Sequence, residues 1–380
     1  MKRIRKATGW IVVAVVTIAM GLGCGDEDPP QEEQDEERRD ADGNLCELYE
    51  EVGPYEVGLR EVELEDGTPV ALFYPAEEEA ATVDRAVYDM RDFLPEGDRD
   101  LISDEDAPIF EMNAAMDADI SGDGSFPVVL FSHGLAGYRY QSSTLLVHLA
   151  SWGFVVASAE HKERNLAHVL ENFAPDGDEA GEAMRAIVEF LEDDDGDISQ
   201  IADTTQIAAT GHSMGGNGAN SMIGEPGVKA AIFYASNPNV DDGVADGEGL
   251  FWMGGTTDRL INASQVRIAY DRGPSPKRFL GIEDAGHLAF SDICAVGAED
   301  GGVLQIAEDS GMEIPALIRT LGEDGCRETD LDVETVWPIV HHYSVAHLRD
   351  VFGIDEDPVG LSQATVDCYD GIAELEWLSE

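Results

Sequence analysis

Gln206-Ile207-Ala208-Ala209-Thr210-Gly211-His212-Ser213-Met214-Gly215-Gly216 is the stretch on which the fold turns. A short apolar run, then Gly-x-Ser-x-Gly, then small residues, reads as a strand, a sharp turn and a helix. A serine at such a turn projects its hydroxyl from the end of the strand, and the flanking glycines leave room for the tight backbone. Gly215 and Gly216 let the following helix lie close to the strand. The pattern is a nucleophile elbow, with Ser213 as the nucleophile.

Working outward, the same alternation continues on both sides. Pro127–Ser132 and Phe154–Ala159 are continuous apolar runs, the mark of strands buried on both faces. Lys229–Ala235, Leu250–Gly255 and Lys277–Ile282 supply three more. Helices are predicted over Gln141–Trp152, Glu179–Glu192, Ile261–Tyr270 and Val340–Val351. Pro54–Leu64 and Val70–Tyr74 read as opening strands around the turn Glu65-Asp66-Gly67-Thr68. The long polar stretch from Glu77 to Phe126 is read as a cover over the sheet, with short helices near Arg85–Phe93 and Pro108–Met116. Repeated strand and helix with buried strands predicts the α/β class: an α/β-hydrolase fold, a mostly parallel central sheet with helices on both faces.

A serine hydroxyl is a weak nucleophile until a base takes its proton, and the base needs an acid to fix its tautomer. In this fold the order along the chain is serine, acid, histidine. Asp258 ends the turn that follows the apolar run Leu250–Gly255, where the acid belongs. Its bland reading is a helix cap. His287 follows the strand Lys277–Ile282, after Gly286, and its bland reading is a loop or core histidine. Asp284 and Asp292 are weaker rivals to Asp258. The oxyanion of an acyl transfer needs two donors. The N–H of Met214, next after the nucleophile, is one, and the N–H of Leu135, in Ser132-His133-Gly134-Leu135, is the other. His133 is read as support for that loop rather than as a catalytic base.

The chain has 380 residues and a formal charge of −55. Lysine is confined to Lys2, Lys6, Lys162, Lys229 and Lys277. So negative a surface argues against nucleic acid, anionic membrane surfaces and anionic substrates. It suits salty surroundings, though a compositional habit of the lineage explains it equally. Lys2, Arg3, Arg5 and Lys6 precede a short apolar run, Trp10–Met20, and then Gly21-Leu22-Gly23-Cys24. This is the pattern of a lipoprotein signal peptide over 1–23 with lipidation at Cys24, departing from it in having Gly21 where Leu is preferred. Simple secretion and an uncleaved anchor are the alternatives. Residues 24–45 form an acidic tether, and 46–380 the catalytic domain. An exported chain with four further cysteines predicts two disulfides. Of three pairings, Cys294–Cys326 and Cys46–Cys368 are favoured, the first closing a loop after His287, the second joining the domain's ends.

Phe131-Ser-His-Gly-Leu-Ala-Gly137, Leu149-Ala-Ser-Trp-Gly-Phe-Val-Val156 and Glu160-His161 together resemble the type II platelet-activating-factor acetylhydrolases. Dienelactone-hydrolase-like relatives and, more distantly, cutinase-like polyesterases share features with them. The resemblance implies a Ser213–Asp258–His287 triad, Leu135 and Met214 as oxyanion donors, no metal or other cofactor, and short-acyl or small esters as substrates. Dienelactone hydrolases use cysteine where this chain has Ser213, which disfavours that activity. Asp117–Asp123 and Asp193–Asp197 look like fragments of calcium loops but lack the closing glutamate. The expected protein is a monomeric, exported serine esterase held to a membrane through Cys24. The rivals are a non-catalytic surface lipoprotein on the same fold and a peptidase or amidase using the same triad.

Overall fold

The computed structural model describes Cys46 and residues 49–378, apart from 123, 178, 194, 195, 242–248 and 370. The signal peptide, Cys24 and the tether lie outside the described residues, as do Asp123, Asp194 and Asp195 of the acidic loops and most of the segment 237–249. The strands are β1 (Glu56–Glu63), β2 (Pro69–Ala76), β3 (Arg85–Asp89), β4 (Ile109–Met116), β5 (Phe126–Ser132), β6 (Val155–Ala159), β7 (Ala202–His212), β8 (Val228–Tyr234), β9 (Gly249–Gly255), β10 (Lys277–Ile282) and β11 (Ile372–Leu378). The helices are α1 (Ser143–Ser151), α2 (Leu166–Asn172), α3 (Ala180–Asp193), α4 (Asp197–Ile201), α5 (Gly215–Met222), α6 (Ala263–Arg272), α7 (Val303–Asp309), α8 (Ala316–Glu323) and α9 (Val333–Val351).

Among the described residues the strands form one sheet, ordered β11-β10-β9-β8-β7-β5-β6-β2-β1-β4-β3. From β6 through β5 and β7 to β10 every pairing is parallel, and β2 and β11 join antiparallel at either side. This is the α/β-hydrolase fold. Successive residues of β5 serve opposite faces: Val128 and Leu130 pack with α3, α5 and α6, while Val129 and Phe131 pack with α1 and α9. A strand covered on both faces has no use for polar alternation, which is why these runs read as continuously apolar. The chain leaves β5 toward β6, then crosses back to β7. Their carboxyl ends therefore flank the switch point where such sheets bind ligands.

Arg85–Asp89 and Ile109–Met116 are strands, not the short helices expected. In β3, Ala86 and Tyr88 are buried while Val87 is exposed, the period of two that a half-covered strand shows. Antiparallel pairing of β3 with β4, and parallel pairing of β4 with β1, extends the sheet at that edge. The segment still contributes to the site, because Met90, Leu94 and Ile102 come from the turns that follow β3. Asp117 and Asp197, from the two acidic loops, both pair with the Arg60 guanidinium.

Both expected disulfides are present, Cys46–Cys368 and Cys294–Cys326. The second brackets an insertion that carries α7 and α8. No helix among the described residues is long and apolar enough to cross a membrane.

Candidate active site

Ser213 follows the last residue of β7 with a φ of 55°. That left-handed conformation is costly for a residue with a side chain and persists where the surroundings over-determine it. Here the Ser213 N–H donates to the Tyr234 carbonyl at 2.9 Å, and the Ser213 carbonyl accepts from Ser236 Oγ at 2.6 Å and the Gly216 N–H at 3.0 Å. Gly215 is required by contact rather than by φ: a Cβ there would lie 1.9 Å from the Ser132 carbonyl oxygen. The elbow thus forces the start of α5 against the end of β5, beside the loop that carries Leu135.

The structure brings Ser213, His287 and Asp258 together. Ser213 Oγ lies 2.8 Å from His287 Nε2, and His287 Nδ1 lies 2.8 Å from Asp258 Oδ2. His287 and Asp258 are buried, whereas Ser213 is half-buried and faces a cavity. The other oxygen of Asp258 accepts from the N–H groups of Leu260 and Ile261, each at 2.8 Å. The capping geometry and the contact to histidine therefore coexist, although α6 itself is capped by Asn262. With its second oxygen so occupied, the Asp258 carboxylate presents Oδ2 as a fixed acceptor to Nδ1–H, which leaves the Nε2 lone pair for the serine hydroxyl.

Asp292 is placed elsewhere, accepting from Ser143 Oγ at 2.6 Å and the Thr144 N–H at 3.1 Å at the start of α1. Asp284 is exposed and its backbone, not its side chain, bonds Thr256. Among the described residues, the N–H groups of Leu135 and Met214 have no protein acceptor.

Several residues that bear on this geometry went unrecognised in the sequence. His212 Nε2–H donates to the His287 carbonyl at 2.9 Å, and its Nδ1 accepts from Gln141 Nε2 at 2.7 Å. Gln141 Oε1 accepts from the Gly134 N–H at 3.1 Å. One chain of bonds thus joins the Leu135 loop to the His287 loop. Burial, and then the neighbouring His287, push the His212 pKa down to about 3, so His212 is a neutral strut. His133 supports its loop in the manner expected: Nδ1–H donates to the Gly134 carbonyl and Nε2 accepts from the His161 N–H, both at 2.9 Å. Arg164, fully buried, donates to the His133 carbonyl at 2.9 Å and to Ser132 Oγ at 2.7 Å. The sequence signal for His212 was in plain view, inside the elbow motif itself. Nothing local marked Gln141 or Arg164.

The cavity in front of Ser213 is walled by aliphatic side chains. Leu94 and Ile102 come from one side, Leu166 and Leu170 from α2, and Leu304 and Ile318 from the bracketed insertion. The space open to the centre of a water molecule is ≈ 110 Å³. No group of three or more His, Cys, Asp or Glu among the described residues is disposed to hold a metal ion.

Residues 101–184 match the family described as platelet-activating factor acetylhydrolase, isoform II. A platelet-activating factor acetylhydrolase of Cavia porcellus is 43% identical over 42 residues, 11% of this chain and 10% of that protein. One of Bos taurus is 40% identical over 50 residues, 13% of this chain and 11% of that protein. The chain thus spans about a tenth of the length of the curated relatives it matches. The family match includes β5, the Leu135 loop, α1, β6 and Arg164, and stops before Ser213. The chain resembles this family in sequence over residues 101–184, and its sheet is consistent with the family's α/β-hydrolase fold.

Proposed function

We propose that the protein is a serine carboxylic-ester hydrolase. The observation that carries the reading is the relay from Ser213 Oγ through His287 to Asp258, with 2.8 Å at each step. Ser213 attacks the ester carbonyl as His287 Nε2 takes its proton. Asp258 holds the imidazole in the Nδ1–H tautomer and stabilises the imidazolium. The oxyanion is received by the N–H groups of Leu135 and Met214, which are free to donate to it. His287 then protonates the leaving alcohol, and water, deprotonated by the same histidine, releases the acyl group. The matched acetylhydrolases support an ester substrate with a short acyl group, and the aliphatic cavity suits an uncharged one.

The two disulfides fit an oxidising compartment, and with the basic and apolar start of the chain they support export. Cys24 is the proposed lipidation site, with 1–23 as its signal peptide and 24–45 as the tether. A block of precursor processing by globomycin is the expected outcome in a bacterial host. Unchanged processing would remove lipidation from the proposal.

Hydrolysis of p-nitrophenyl esters of increasing chain length, by the full chain and by Ser213→Ala, tests the reaction. The variant is expected to lose at least about a thousandfold in kcat while remaining folded. Equal activity in the variant would remove Ser213 from the mechanism. An inert, folded wild type would move the reading toward amide substrates or a binding role.

A further inference from the structure

The insertion bracketed by Cys294 and Cys326 does more than wall the cavity. Its inner end carries Asp324, which is 1% exposed. One carboxylate oxygen, Oδ1, accepts from the His287 N–H at 3.2 Å; the other, Oδ2, accepts from the Arg259 N–H at 3.0 Å. The Asp324 carbonyl accepts from the Leu288 N–H at 2.7 Å. Arg259 directly follows Asp258, so this one side chain ties together the backbones that carry the acid and the base. The packing there is tight: a Cβ on Gly286 would lie 2.4 Å from the Gly325 Cα. The buried charge faces the Arg327 guanidinium at 3.6 Å.

We propose that Asp324 is a positioning residue: it sets the separation of Asp258 and His287, and the Cys294–Cys326 disulfide, two residues further on, delivers it. This rests on the hydrolase reading of Ser213, His287 and Asp258. The physical argument concerns acceptors. A carboxylate offers two, one to each loop. An amide offers one and turns its own N–H groups toward the other donor, so Asp324→Asn keeps the volume but pulls only one loop into place. A misplacement of about 1 Å at the reacting atoms can cost about two orders of magnitude in rate.

The test compares the full chain with its Asp324→Asn variant in two readings. One is kcat and KM on p-nitrophenyl butyrate. The other is the low-field proton resonance of His287 Nδ1–H, assigned by its loss in Asp258→Ala. The variant is expected to lose about 10- to 100-fold in kcat with KM changed less than about threefold, and to lose or shift the resonance. A kcat within about twofold of wild type, or an unmoved resonance, overturns the proposal. If Asp324→Asn does not fold, Cys294→Ser/Cys326→Ser replaces it, with the same loss in kcat expected and an unchanged kcat overturning the proposal. A wild type inert toward esters would sink the hydrolase reading alone. The resonance would then decide the positioning role, its persistence in Asp324→Asn refuting it.

Discussion

Mild acid should destabilise this protein, and buried histidine is the reason. His133, His148, His161, His212 and His347 are all buried. Burial pushes their pKa values down from 6.5: to about 3 for His133 and His212, to about 4 for His148, and well below the ordinary value for His161 and His347. In the folded state each stays neutral. In the unfolded chain each takes a proton as the pH falls below about 6.5. Their contribution to stability is complete above that pH and is lost progressively below it. From about pH 7.5 to 5.5 the loss is about 1.4 kcal/mol for each histidine, about 7 kcal/mol for the five. Asp292 works in the opposite sense. Burial raises its pKa to about 6, so the folded state takes up a proton there as the pH falls and recovers under about 1 kcal/mol over the same interval. The net loss, about 6 kcal/mol, is two fifths or more of what a domain commonly has. Urea unfolding followed by tryptophan fluorescence, at about pH 7.5, 6.5 and 5.5 in roughly 1 M salt to screen the acidic surface, measures it. Potentiometric proton uptake on unfolding near pH 5.5 should be about four, Asp292 giving up most of one proton against the histidines' gain. Stability that is flat or rising toward pH 5.5, or an uptake below about two protons, would refute the reasoning.

Two further outcomes follow from contact geometry. Gly215→Ala places a methyl 1.9 Å from the Ser132 carbonyl oxygen, so it should cost more than about 3 kcal/mol in urea unfolding and abolish esterase activity, whereas Gly97→Ala, which meets nothing within 4 Å, should be silent in both. Leu304→Trp fills part of the cavity in front of Ser213. Excluding two methylenes forfeits about 1.6 kcal/mol, so kcat/KM for octanoyl relative to acetyl esters should fall about fifteenfold, and an unchanged chain-length profile would show that the acyl group lies elsewhere.

The legible part of the site was the part whose chemistry constrains adjacent residues. The elbow needs small residues on both sides of Ser213, so it is written locally as Gly211-His-Ser-Met-Gly-Gly216. Asp258 and His287 each follow an apolar run at the carboxyl edge of the sheet, so chain order and the strand pattern located them. The runs of β5 to β10 were legible because burial on both faces leaves no polar positions. β3 and β4 were not. Their covered face is short, and their polar outer face imitates a helix when only a few residues are counted. β11, α2, α4, α7 and α8 were also missed, each being a short element of five to eight residues.

The sequence by itself marked the fold class and the chain order of the candidate triad, and favoured Cys294–Cys326 and Cys46–Cys368 among three possible pairings. Tertiary structure alone decided what holds that triad in register. Gln141 and His212 are 71 residues apart, and His287 and Asp324 are 37 apart. Neither pair belongs to a shared helical or strand period. Their bonds exist because the sheet sets the loop ends side by side and the insertion folds back over them. Local sequence records the conformational demands of a turn or a strand. A hydrogen bond between distant loops leaves no periodic trace, since its only requirement is a donor and an acceptor that the fold happens to bring within 3 Å or so.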